Sequence, residues 1–162
     1  MADESFATGG CACGAVRYRL VDAPYGVNCC HCTDCQREIG SAFAVNAAIE
    51  SDRFVAEGVA PLVDRLKTAS GGEQDVMRCP QCHMALWSHY SGMGDKATFV
   101  HAGTLDEPGL CPPQAHIFVR SKQAWVLLDE ATPKFEAFYS GRDVVRIMGE
   151  RGAARLRALR AG

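Results

Sequence analysis

The sequence predicts a mainly β protein of antiparallel sheets stapled by zinc, with a short C-terminal helix. Three observations carry that expectation. Short apolar stretches recur along the 162 residues, each closed by Gly, Pro, Asp or Ser, as in all-β chains. No alternation of strands with ten-residue helical patterns suggests βαβ units. Seven of the nine cysteines fall into three tight clusters, Cys11-Ala12-Cys13, Cys30-His31-Cys32-Thr33-Asp34-Cys35 and Cys79-Pro80-Gln81-Cys82.

The elements follow in order. Residues 15–20 (AVRYRL) alternate cleanly, with Val16, Tyr18 and Leu20 on one face and Arg17 and Arg19 on the other. Residues 33–38, inside the second cluster, suit one short helical turn. Residues 42–49 are small and apolar and read as a strand. Shorter strands are expected over 54–56, 62–68, 75–78, 85–89, 97–102, 115–120 and 124–127. The punctuation between them includes Asp22-Ala23-Pro24, Ser70-Gly71-Gly72, Glu107-Pro108-Gly109 and Pro112-Pro113. Residues 141–160 place Val144, Ile147, Met148, Leu156 and Leu159 at partly helical spacing among six arginines. Gly149 and Gly152 weaken a continuous helix, so a solvated, partly frayed terminal helix is expected. With no repeat or low-complexity linker, residues 5–140 read as one zinc-binding domain and 141–162 as a basic helix or tail.

Bulk properties exclude some functions. A chain 48% hydrophobic and 22% charged is ordinary for a globular domain. Its formal charge of -2 offers no general attraction to nucleic acid. Residues 1–5 open acidic, with no basic and apolar leader after them, and the apolar run at 124–128 is too short to span a bilayer. A cytoplasmic protein without nucleic-acid or membrane partners is expected. In a reducing compartment dense cysteine points to metal more than to disulfides, and an odd count with Cys-x-Cys neighbours fits disulfides poorly.

The clusters differ in how many ligands they offer. Cys11 and Cys13 lie between Gly9-Gly10 and Gly14, which let the backbone turn so that both sulfurs face one ion. Cys79 and Cys82 have the two-residue gap of a zinc knuckle. Two pairs make a closed four-thiolate site, which is structural and offsets the entropy of joining distant segments. For the second pair a redox dithiol ranks next, and c-type haem attachment through Cys79-Pro80-Gln81-Cys82-His83 third.

Cys30, Cys32 and Cys35 make a trio with one position open. Cys29, Cys111, His31, His83, His89, His101 or His116 would close it; otherwise a substrate fills it. Three thiolates make a soft centre that favours a soft incoming ligand such as a thiol, which coordination deprotonates into a nucleophile for a small carbonyl compound. Thr33, Arg37, Glu38 and Ser41 border the trio, with no role assigned by the sequence.

These residues resemble a known family. GGCACGAVRYRL, NCCHCTDCQREIGSAF, RCPQCHMALW, FVHAGTLDEPG and HIFVRSKQAW follow one another as in glutathione-dependent formaldehyde-activating enzyme-like domains, the family that includes centromere protein V. The resemblance spans about residues 9–139. It implies an Mss4-like fold, a structural zinc on Cys11, Cys13, Cys79 and Cys82, and a second, catalytic-type zinc on Cys30, Cys32 and Cys35. It implies a carbon–sulfur lyase that joins formaldehyde to glutathione as S-hydroxymethylglutathione. The family usually has Gly where this chain has His83. Two other readings stand beside the enzyme: a zinc-stabilised binding module using the basic tail, and a thiol-based redox or metal sensor.

Overall fold

The computed structural model describes residues 5–69 and 71–161. Residues 1–4 of the acidic start, Ser70 of the Ser70-Gly71-Gly72 turn and Gly162 of the basic segment lie outside the described residues. The strands are β1 (Ala7–Gly10), β2 (Val16–Leu20), β3 (Gly26–Cys30), β4 (Ala44–Glu50), β5 (Phe54–Gly58), β6 (Leu62–Lys67), β7 (Glu73–Arg78), β8 (Ala85–Tyr90), β9 (Ala97–His101) and β10 (Ala115–Ile117). Helix α1 (Thr33–Ile39) lies between β3 and β4, and α2 (Val144–Ala161) follows β10.

Two sheets result. One has three strands, β1-β2-β5; the other has seven, in the order β10-β3-β4-β9-β8-β7-β6. The mainly β class expected from the sequence is the class observed. Pairing is antiparallel throughout the described strands except where β10 runs parallel to β3.

The period-2 pattern of β2 decides how the sheets meet. Val16, Tyr18 and Leu20 are fully buried, while Arg17 and Arg19 point outward to Asp106 and Glu57. The buried face packs on Ile49, Leu86, Trp87 and Val100 of the larger sheet. Tyr18 stacks on Phe54 at 5.3 Å and meets Trp87 edge-on at 5.9 Å. Each such side chain contributes roughly 1.5–3 kcal/mol by leaving water.

Some expectations change. Strands β1 and β3 have no apolar alternation: Ala7–Gly10 is small residues and three of the five residues of Gly26–Cys30 are cysteine or glycine, so pairing rather than pattern defines them. The strand expected at 115–120 stops at Ile117, because Phe118 adopts a left-handed φ of 56° and turns the chain away. Residues 124–127 form no strand; Trp125 and Leu127 are exposed there.

The C-terminal segment is docked rather than frayed. A kink at Gly149 divides α2, as its glycine foreshadowed, but the second half packs Ala153 and Leu156 inward against the neighbourhood of Tyr25. Gly152 is needed there, since a Cβ would lie 2.4 Å from the Tyr25 carbonyl oxygen. Arg155 is the clamp. It donates to both carboxylate oxygens of Glu50 and, at 2.6 Å, to the Ala23 carbonyl. Arg151 reaches Asp22 at 2.7 Å. Arg151 and Arg155 of the basic segment are therefore spent within the fold rather than solvated at a frayed end. Among the described residues no helix is long and apolar enough to cross a membrane.

Burial opposes ionisation of Glu50 and Asp22, yet both stay below the usual carboxylate range, Glu50 through the Arg155 bonds and Asp22 through the Ala23 N–H and the Arg155 and Arg151 charges. A depressed carboxylate contributes stability above its unfolded pKa and loses it as pH falls through the folded value. Arg155→Met is expected to cost about 3 kcal/mol in denaturant unfolding at pH 7. The penalty should shrink below about pH 4, where Glu50 takes a proton; an equal penalty at pH 7 and pH 3 would contradict the clamp.

The turn between β7 and β8 carries an exposed strain. His83 has a φ of 59° and donates its N–H to the Cys79 carbonyl at 2.9 Å. A non-glycine residue there costs about 1–2 kcal/mol, partly returned by the entropy glycine would lose. His83→Gly should raise the unfolding free energy by about 0.5 kcal/mol; a loss of stability would show that the imidazole itself makes a favourable contact.

Candidate metal centres and the cavity beside them

The four cysteines of the two pairs converge. Gly14 takes a φ of 77° at the turn after Cys13, and the Cys79–His83 turn folds back from β7, so the sulfurs of Cys11, Cys13, Cys79 and Cys82 all lie within 4.8 Å of one another. Cys13 Sγ is 3.4 Å from Cys11 Sγ and 3.6 Å from Cys79 Sγ. A tetrahedral ion with bonds of about 2.3 Å sets its sulfurs about 3.8 Å apart, so the donor set fits a zinc-sized ion. Backbone N–H groups also face these sulfurs: Val16 donates to Cys11 at 3.3 Å and Gln81 to Cys79 at 3.4 Å. Burial opposes ionisation of Cys11, but the Val16 N–H and the neighbouring thiols of Cys13, Cys79 and Cys82 bring it down to about 6. The cluster joins β1 to the β7–β8 turn and can hold a metal.

The trio is built differently. Cys30 ends β3, Cys32 caps α1, and Cys35 lies in the helix's first turn with its N–H donating to Cys32 Sγ at 3.3 Å. Their three sulfurs lie within 4.8 Å of one another. Hydrogen bonds from Cys30 and Cys35 pull the Cys32 thiol far down. The bond to Cys32, followed by burial, pushes Cys30 up to about 12, and the bonds to Cys30 and Cys32, with burial, raise Cys35 further. One thiol ionises easily and the other two resist. A bound cation removes that conflict, which is how this donor set fits a metal.

Among the described residues, no other Cys, His, Asp or Glu atom joins the group of three sulfurs. The candidates weighed from the sequence are occupied elsewhere. Cys29 and His31 form a separate buried group with His116, His31 Nε2 lying 3.0 Å from His116 Nδ1 and 3.6 Å from Cys29 Sγ. Burial and the charges of His116 and Lys122 push His31 down to about 4, so this pair is a neutral imidazole contact at neutral pH. Cys111 belongs to the main core. His89 Nδ1 lies 3.0 Å from the Ala97 carbonyl, His101 lies 3.8 Å from Glu38, and His83 is exposed.

The trio instead faces a cavity of about 460 Å³. Thr33 lines it, as do Asn28, Tyr90, Arg120, Tyr139 and Arg160, none of which sequence spacing suggested as site residues. Arg37 and Ser41 do not line it. Glu38 packs between α1 and the sheet, where Gln74 Nε2 donates to it at 3.1 Å and Arg78 lies 4.0 Å away; burial raises its carboxyl. Gln36 frames the trio: its Nε2 donates to the carbonyls of His31 at 2.7 Å and Ser121 at 2.9 Å. That bond ties the loop carrying Phe118 and Arg120 to the cysteine segment.

Tyr139 lines the same cavity as the three cysteines. It packs in one cluster with Cys30 and Cys35, and Asn28 Nδ2 donates to its oxygen at 3.3 Å. Burial raises its pKa despite that bond, so it remains a protonated donor. Tyr90 is raised well above its ordinary value by burial and by the nearby Cys35 and Glu38.

Known proteins are similar to this chain over most of its length. The family model described as "Glutathione-dependent formaldehyde-activating enzyme" matches residues 6–121. A curated relative from Halomonas elongata, named "Putative glutathione-dependent formaldehyde-activating enzyme", is 30% identical over 130 residues, covering 75% of this chain and 80% of its own. A crystal structure of a Rhodobacter sphaeroides protein is similar over 61% of this chain and 87% of its own, at 19% identity and a TM-score of 0.47. With the match extending from the first strand to the loop after β10, the chain belongs to the family of glutathione-dependent formaldehyde-activating enzymes.

Proposed function

We propose that this chain is a zinc-dependent enzyme of the carbon–sulfur lyase type that acts on adducts between a thiol and an aldehyde, with glutathione and formaldehyde the pair its family name supplies. One observation carries the reading: Cys30, Cys32 and Cys35 present three sulfurs to a cavity, with no fourth Cys, His, Asp or Glu ligand grouped with them among the described residues. Cys11, Cys13, Cys79 and Cys82 would hold a second, structural zinc.

Cys30, Cys32 and Cys35 would hold the zinc ion, which would acidify an incoming thiol and so make it nucleophilic at neutral pH. The chain's residues do the rest. The cavity walls place the thiol sulfur against the carbonyl carbon and exclude competing water. As the sulfur–carbon bond forms, the carbonyl π pair moves to oxygen, which needs a donor. Tyr139 is that donor in this reading, because Asn28 already satisfies its oxygen and leaves its own O–H free. In the reverse direction the same hydroxyl takes the proton back while the sulfur–carbon bond breaks.

Metal counting and catalysis test the two sites together. Wild-type protein should carry two zinc ions per chain and form the hydroxymethyl adduct faster than the uncatalysed mixture. Cys32→Ser should bind one, keep its fold and lose more than about 100-fold in rate. Cys82→Ser should unfold or aggregate, because structural metal binding is folding free energy. Equal damage from both substitutions would erase the distinction between the sites, and no rate above background in the two-zinc protein would sink the enzyme.

Tyr139→Phe isolates the proton donor. It should lower kcat about 100-fold with little change in KM, as loss of a single oxyanion donor does. An unchanged kcat would move the role elsewhere in the cavity.

A further inference from the structure

Most of the wall around the trio has no task in a reaction of formaldehyde with glutathione. Formaldehyde is one carbon and needs no apolar room. Glutathione is polar along its length, and burying its amides against apolar groups without partners is costly. Yet the cavity floor is apolar, formed by Tyr25, Met93, Phe99, Met148 and Leu156, with Phe138 beside them. Tyr25, Ala48 and Leu156 are a packed, buried cluster, and Met93, Phe99 and Met148 lie partly open against it. Side chains held in that way offer a preformed surface for an apolar ligand.

Much of this wall comes from outside the segment matched by the family model. Phe138, Val144, Met148, Leu156 and Arg160 all follow residue 121. The Arg155–Glu50 clamp fixes α2 in place, so its apolar face is a built part of the cavity.

The rim has the opposite character. Arg120 and Arg160 line it, are exposed and make no ion pair among the described residues, whereas Arg17, Arg53, Arg78 and Arg155 all do. The guanidinium of Arg120 lies 5.8 Å over the Phe118 ring, which holds it at the opening. Asp34 is the one carboxylate among the lining residues, and its Oδ2 accepts from the Ala69 N–H at 2.8 Å. The opening is therefore cationic and the floor apolar.

From this combination we infer that the cavity takes adducts of an anionic thiol with an aromatic or branched aliphatic aldehyde. The inference rests on the thiol–aldehyde reading above and changes its carbonyl partner. The chemistry balances as an addition. The thiol sulfur bonds to the aldehyde carbon, the carbonyl π pair moves to oxygen, and the thiol proton ends on that oxygen. No oxidant or reductant takes part.

Calorimetry with two unreactive probes tests the ligand class apart from turnover. S-benzylglutathione and S-methylglutathione have the same carboxylates and no free thiol or aldehyde. The zinc-loaded protein should bind the benzyl compound at least about tenfold more tightly, since six further carbons leave water. Phe138→Ala should cut that ratio to about threefold. Arg120→Ala and Arg160→Ala should weaken both probes alike, by about fivefold each, and Arg157→Ala should change neither. Equal affinities, or no binding of either probe, would overturn the inference while the formaldehyde assay stood by itself. A benzyl preference without turnover of any aldehyde would uphold the ligand class and remove the catalytic reading.

Discussion

Successive residues of a strand face opposite sides of a sheet, and at the end of β3 this period of two sorts the ligands. Cys30 and Cys32 go to one side, where Cys35 joins them from the first turn of α1. Cys29 and His31 go to the other, where they meet His116 across the parallel β10 pairing. Four adjacent potential ligands are thus divided into two groups that do not share members. A slip of one residue in the β3–β4 register would exchange the groups and put an imidazole where a sulfur belongs. The open fourth position of the trio depends on that register, and the cavity is useful only while the position stays open.

The second dependence runs through the C-terminus. Met148 and Leu156 of the cavity's apolar floor belong to α2, and α2 has a modest apolar face interrupted by five arginines. Burial of Ile147, Ala153 and Leu156 alone would anchor it weakly. Arg155 reaches a buried carboxylate and a free carbonyl at once, which gives the helix one position along the sheet rather than a sliding contact. A buried ion pair of this kind does more for position than for net stability.

Much of this was legible in the sequence, and the exceptions share a cause. Val16, Tyr18 and Leu20 announced their buried face because alternation is a local signal. The cysteine clusters were legible because ligand spacing is local too. Strand β3 was not, since Gly26–Cys30 has neither β-branched richness nor alternation, and only its neighbours β4 and β10 make it a strand. The opposite error came at residues 124–127, where an apolar run reads as strand but finds no partner to pair with. The cavity was the least legible part. Asn28, Tyr90, Arg120, Tyr139 and Arg160 come from five separate segments, and nothing in their local spacing marks them as one surface.

Phe118 shows what such a surface demands of the backbone. Continuing β10 in extended form would carry residues 118–120 on along the sheet edge, beyond the trio. A left-handed residue reverses the chain at once, and glycine would adopt that conformation without strain. The chain places a phenylalanine there instead, at a cost of about 1–2 kcal/mol. The ring is what glycine could not provide, since it lines the cavity and supports Arg120 above it. Gln36 then fixes the turned loop to the cysteine segment through the Ser121 carbonyl. Phe118 also packs against the buried cluster of Cys30, Cys35, Ala115, Ile117 and Tyr139, so the ring that lines the cavity offsets the backbone strain by apolar burial, which glycine could not do.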